Sequence, residues 1–67
     1  MTDKKFSFVI PCFNAGEFIG QNINKLIKFL KNNNYNYEII LIDDGSSDNT
    51  FIKLKELQSK FKKVKIL

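Results

Sequence analysis

Two short clusters hold the residues whose types could do chemistry in this chain. Residues 11–17 include Pro11, Cys12, Phe13, Asn14 and Glu17, and residues 43–48 include Asp43, Asp44, Ser46, Ser47 and Asp48. Adjacent carboxylates at the end of an apolar strand point in different directions, so Asp43 and Asp44 cannot act as a face-to-face acid pair. One can look into a cleft and accept a hydrogen bond from a sugar hydroxyl or a base imide, while the other braces the turn at Gly45 or its amides. The competing reading has both carboxylates capping the turn and the helix that follows, where a helix N-terminus would stabilise either. Phe13 could stack on a base or pack against a sheet. Cys12 has no histidine in the chain to serve as its base, which predicts a packing role rather than a nucleophile.

The elements that must position these clusters follow from periodicity. Residues 6–10 form a strand rich in aromatic and β-branched types, closed by Pro11, which cannot donate to a ladder in the middle of a sheet. Asn14 and Glu17 have capping-box spacing and predict a helix start there. Ile19, Ile23, Leu26, Ile27 and Leu30 recur at helical spacing, with Gln21, Asn22, Asn24, Lys25, Lys28 and Lys31 on the opposite side. Asn32, Asn33, Asn34 and Asn36 end that helix, since asparagine tolerates the left-handed conformation.

A second strand follows over residues 37–43, and its unbroken run of Ile39, Ile40, Leu41 and Ile42 predicts a parallel strand covered on both faces. Ser47 or Asp48 is placed to cap a second helix that buries Phe51, Leu54, Leu57 and Phe61. Residues 62–67 begin a third strand with Val64 and Ile66 on one face. The order β-α-β-α-β predicts an α/β fold, the N-terminal part of an open, mostly parallel, Rossmann-like sheet. In such sheets the ligand site lies beyond the carboxyl ends of the strands, where both clusters fall.

Composition narrows the function classes. The chain has 67 residues and a net charge of +4, with lysine but no arginine. Residues 1–50 carry five lysines against six acids, whereas residues 51–67 carry six lysines against Glu56 alone. Without an arginine fork or basic residues interleaved with aromatics, nucleic-acid binding is not expected. The basic end predicts a solvated helix face, with attraction to anionic lipid headgroups as the alternative. A single cysteine excludes an internal disulfide and suggests a reducing compartment. The apolar run near the N-terminus is too short for a signal peptide or a membrane span.

Three site types fall away on spacing. A dinucleotide loop needs G-x-G-x-x-G after the first strand, where only Gly16 stands, and a Walker A loop is absent. Response regulators carry paired acids mostly after their first strand, and here the pair follows the second. Three strands and two helices could close a minimal domain, yet helix-covered parallel strands usually need more neighbours, so a partial or truncated chain with an unfinished sheet edge is expected.

Taken together, Val-Ile-Pro-Cys-Phe-Asn at 9–14, Glu17, Tyr-Glu-Ile-Ile-Leu-Ile-Asp-Asp-Gly-Ser-Ser-Asp at 37–48 and Thr50 resemble the opening of family 2 glycosyltransferases, which have the GT-A fold. The resemblance spans essentially the whole chain but only the first part of the usual domain. It implies transfer of a sugar from a UDP- or GDP-sugar donor to a lipid-phosphate or polysaccharide acceptor, with residues 1–67 supplying part of the nucleotide-binding half. Pro11 and Phe13, the latter where the family more often has Tyr, resemble the walls of the nucleobase pocket. Glu17 and Asp43 resemble the polar contacts to the nucleoside, and Asp44 their support near ribose and phosphate.

The resemblance further implies Mg²⁺ or Mn²⁺ held by a D-x-D motif after a later strand, which this chain does not contain. Metal and diphosphate supply much of the charge stabilisation in such a transfer, so these residues alone are expected to be inactive, with the catalytic residues elsewhere. Strand 37–43 particularly resembles enzymes that load a hexose onto polyprenyl or dolichyl phosphate, which implies a cytoplasmic protein that can associate peripherally with a membrane in its full-length form. Cell-envelope polysaccharide transferases share the same opening. The alternative from another class is a non-catalytic nucleotide- or partner-binding module, or the remnant of a decayed gene.

Overall fold

The computed structural model describes residues 4–43, 45 and 48–67. Its elements run β1 (Lys5–Pro11), α1 (Ile19–Asn32), β2 (Asn36–Ile42), α2 (Thr50–Lys60) and β3 (Val64–Ile66). The strands form one parallel sheet in the order β1-β2-β3, with Phe8 opposite Ile39, Ile10 opposite Leu41, and Ile39 opposite Val64. This is the β-α-β-α-β, Rossmann-like architecture expected from the sequence.

Side chains alternate across a strand, so the register sorts the sheet into two faces. Tyr37, Ile39, Leu41 and Val64 are buried on one face, with Phe8, Ile10 and Ile66 packed around them. Ile19, Ile23, Ile27 and Leu30 of α1 and Leu54 and Leu57 of α2 complete the same core. Successive crossovers of one hand that step in one direction across a sheet place their helices on one side, and α1 touches α2 there.

The expectation that β2 is covered on both faces needs correction. On the other face Val9 is 56% exposed and Ile40 and Ile42 are only half-buried. The Lys5 ammonium meets the Glu38 carboxylate there at 3.1 Å. That hydrogen bond and charge hold Glu38 below the usual carboxylate range. The unbroken apolar run in β2 records hydrophobicity on both faces, but among the described residues only one face receives helices.

Helix boundaries also differ. The capping box at Asn14 and Glu17 does not start α1: Asn14 takes a left-handed φ of 49°, and Phe18 stands at the N-cap without a side-chain cap. Instead the Ala15 carbonyl accepts the Phe18 and Ile19 amides at 3.0 and 2.9 Å, a turn that feeds directly into the helix. The asparagine-rich stop behaves as predicted. Asn34 has φ 58°, and the Asn34 and Tyr35 amides donate to Lys31 O at 3.1 Å and Leu30 O at 3.0 Å, the paired bonds of a Schellman closure. Tyr35 then lies between Phe29 and Phe6, with ring centroids 6.1 and 5.4 Å away.

In α2, Phe51 is exposed rather than buried. The inward stripe is Thr50, Leu54 and Leu57, which places Phe51 about 100° round the helix from Thr50. Parallel topology gathers strand starts and helix ends at one end of the molecule, where Lys31 and Lys60 occupy the last helical turns. Lysine there complements the helix dipoles, and Lys63 lies 4.5 Å from the centroid of Tyr37.

The one-sided core makes a direct prediction. Ile39→Ala should lower the unfolding free energy by about 2–5 kcal/mol, whereas Ile40→Ala, one residue along on the open face, should cost about 1 kcal/mol. Equal losses in urea unfolding would contradict the assignment of faces.

Candidate functional site

The carboxyl ends of β1 and β2 lie side by side because the ladder continues past the strands: the Cys12 amide donates to Ile42 O at 2.7 Å. In a parallel pair the amides facing the partner recur every second residue. Pro11, adjacent to Cys12, therefore turns its missing donor away from β2 and costs the ladder nothing. Pro11, opposite Ile42, is held next to the strand end that leads into Asp43.

Cys12 is 1% exposed and its thiol donates to Ile10 O at 3.2 Å. Burial raises its pKa, and the nearby Asp43 carboxylate adds to the rise. The thiol is thus a packing group, as expected, and the half-buried Asp43 follows Ile42, whose carbonyl takes the Cys12 amide. Phe13 follows with 64% of its surface exposed, so it does not pack into the sheet and is available to a ligand. Glu17 is exposed on the same loop. Asp44 and Ser47, named above for the nucleotide site and a helix cap, lie outside the described residues.

The two loops are joined by residues that composition and motif did not single out as a pair. Oδ1 of Asp48 accepts the Thr50 amide at 3.0 Å and also the Thr50 hydroxyl. Oδ2 accepts the Gly16 amide at 3.3 Å, from 32 residues away in the chain. The Thr50 hydroxyl is the main influence holding Asp48 below the usual aspartate range, helped by the Thr50 and Gly16 amides against partial desolvation. A Cβ on Gly16 would fall 2.1 Å from Asn49 Oδ1 and 3.0 Å from Thr50 N, so a side chain there would require the Asn49 amide to move and the Thr50 backbone to give slightly. Gly45, at φ 76°, takes the left-handed turn between Asp43 and this anchor.

The structure therefore brings together Pro11, Phe13 and Asp43 at the paired strand ends, and draws the Gly16–Glu17 segment toward the start of α2. The expectation that Asp48 caps α2 needs correction: Asn49 stands at the N-cap without a side-chain cap, and Asp48, one residue earlier, binds Thr50 at the first helical position and also the other loop. A bond spanning 32 residues leaves no local signature in the sequence.

Among the described residues, no three His, Cys, Asp or Glu side chains come together to hold a metal ion. Among them, too, no helix is long and apolar enough to cross a membrane.

Because the folded-state pKa of Asp48 lies below its unfolded value, its contribution to stability is fully present above the unfolded pKa and is lost as pH falls through the folded one. Thermal stability should therefore decline on acidification below about pH 4. Asp48→Asn should flatten that part of the profile, and an unchanged acid limb in thermal melts would contradict the ionised anchor.

The sequence matches Glycosyl transferase family 2 over residues 7–67. It is 46% identical over 52 residues to the undecaprenyl-phosphate 4-deoxy-4-formamido-L-arabinose transferase of Proteus mirabilis, covering 78% of this chain and 16% of that protein. It is 41% identical over 59 residues to the UDP-N-acetylglucosamine–dolichyl-phosphate N-acetylglucosaminyltransferase of Methanococcus voltae, covering 87% of this chain and 21% of that protein. With the putative glycosyltransferase CsbB of Bacillus subtilis it shares 38% identity over 61 residues, covering 91% of this chain and 18% of that protein. The chain thus spans about a fifth or less of the length of these relatives. With the parallel sheet and the two loops at its carboxyl ends accounted for in the same stretch of residues, the chain belongs to glycosyl transferase family 2.

Proposed function

We propose that residues 1–67 form part of the nucleotide-binding half of a glycosyltransferase that takes a UDP- or GDP-sugar as donor. The observation that supports it most is the union of two polar loops at the carboxyl ends of adjacent parallel strands, the place where open α/β sheets bind ligands. In this reading Pro11 and the exposed ring of Phe13 wall the base. Asp43 and Glu17 accept hydrogen bonds from the nucleoside, and Asp44 supports them near the ribose and phosphate.

The chemistry assigned to this part is binding and orientation. A ring face on the base gives attraction with little directional demand, and a half-buried carboxylate beside it supplies direction, because an acceptor-only group discriminates donors from acceptors on the ligand. The divalent ion that screens the diphosphate leaving group belongs, in this reading, to a D-x-D motif outside these residues. Two relatives are named for undecaprenyl phosphate and dolichyl phosphate, which favours a lipid-phosphate acceptor over a glycan. The lysine-rich helix ends lie at the opposite end of the sheet from the loops. Any attraction of those lysines to a lipid surface would therefore act away from the donor site, even if the full-length protein associates with a membrane.

Calorimetric titration of the chain with UDP, GDP and AMP tests the reading. UDP or GDP should bind in preference to AMP, and Asp43→Ala should weaken that binding by about ten-fold or more, the worth of a hydrogen bond to a charged group. The same preparation should transfer no sugar. Binding that is indifferent to both nucleotide and Asp43 would overturn the donor reading, and sugar transfer would overturn the division of labour.

A further inference from the structure

We infer that Asp48 is a positioning residue of the donor site: its two carboxylate oxygens divide their work, one fixing the start of α2 and the other setting the separation of the two nucleotide-binding loops. The inference rests on the donor reading above. Holding Thr50, the first residue of α2, needs one oxygen only, and Oδ1 performs it by taking both Thr50 donors. Oδ2 is left over, and it takes the Gly16 amide. Thr50 is fully buried, so the carboxylate it grips is referred to the core of the molecule rather than to a mobile surface.

Gly16 supports the same conclusion from the other side. The approach of the two loops is so close that a single methyl would meet Asn49 and the Thr50 backbone nitrogen. The Asn49 amide can swing aside, but the Thr50 nitrogen at 3.0 Å and the Asn49 carbonyl carbon at 3.2 Å are backbone, so a larger residue at 16 loads the contact between the loops. Glu17 is covalently next to Gly16, and Asp43 precedes Asp48 through the Gly45 turn. In this inference the Asp48–Gly16 bond limits how far Glu17, next to Gly16, can move from the segment that Asp43 opens. Neither Asp48 nor Gly16 needs to touch the nucleotide.

The substitution that separates the two roles is Asp48→Asn. Asparagine is as good a cap as aspartate, and its single carbonyl can keep the Thr50 donors only by turning its NH₂ toward the Gly16 amide, where it cannot accept. Thr50→Val is the converse, removing the hydroxyl while leaving Oδ2 for Gly16. Three readouts on the full chain decide the matter: UDP and GDP affinity, thermal midpoint, and hydrogen exchange at the Gly16 amide. Asp48→Asn should weaken nucleotide binding by about ten-fold, accelerate Gly16 exchange and keep most of the thermal stability. Gly16→Ala should weaken binding in the same way, and Thr50→Val should lower the midpoint while leaving affinity within about two-fold of wild type, because the Oδ2 bond of one charged acceptor is retained.

Unchanged Gly16 exchange in Asp48→Asn would overturn the inference, as would affinity losses that simply follow thermal stability across all three variants. A wild-type chain that binds neither UDP nor GDP would overturn the donor reading itself, and the functional half of the inference with it. The Gly16 exchange data distinguish that failure from the absence of the tie.

Discussion

The Asp48 carboxylate is shared between two segments that meet beyond the paired ends of β1 and β2. Its neighbours are the first turn of α2 and the amide of Gly16, and each belongs to a loop that leaves the carboxyl end of a different strand. Loops that leave a sheet separately would each adopt their own conformations. A charged acceptor with three donors, anchored on a buried threonine, replaces that freedom with one arrangement. The close fit at Gly16 is part of the same arrangement.

The sheet beneath supplies the rest of the order. Parallel register carries Pro11 to Ile42 and Cys12 to the Ile42 carbonyl, so the two strand ends advance together and deliver Phe13 and Asp43 to one edge. Both helices cover one face, leaving Val9, Ile40 and Ile42 with substantial exposure on the other. Charge is segregated as well. Lysines sit at helix C-termini, where the dipole favours them, and acidic residues sit in the loops near helix N-termini, where it favours acids. A single topological fact, strands and helices each running in one direction, thus sets the core and the edge at which the two loops meet.

Periodicity was sufficient to read the five elements and their order, because Ile19, Ile23, Ile27 and Leu30 repeat as one helical face and the β2 run is too short and too β-branched for a helix. The asparagine stop was readable for the same kind of reason: a left-handed residue was needed at 34, and asparagine accepts that conformation. Local patterns failed where a neighbouring turn or a buried neighbour decided the outcome. Asn14 and Glu17 have cap spacing, yet the turn at Ala15 starts the helix later. Phe51 matched the apolar count of α2, yet burial of Thr50 under the Asp48 anchor rotates the aromatic outward. The likeness to family 2 glycosyltransferases was carried by motif residues and holds over residues 7–67, but the bond from Asp48 to Gly16 became visible only in three dimensions.

The central claim is that residues of both loops face one nucleotide. Mapping amide chemical-shift changes on adding UDP or GDP tests it most directly. The account predicts that amides of residues 12–17 and of 43–50 respond together at one saturation constant, with the lysine-rich end around Lys31 and Lys60 unmoved. A response confined to one loop, or centred on those lysines, would contradict it.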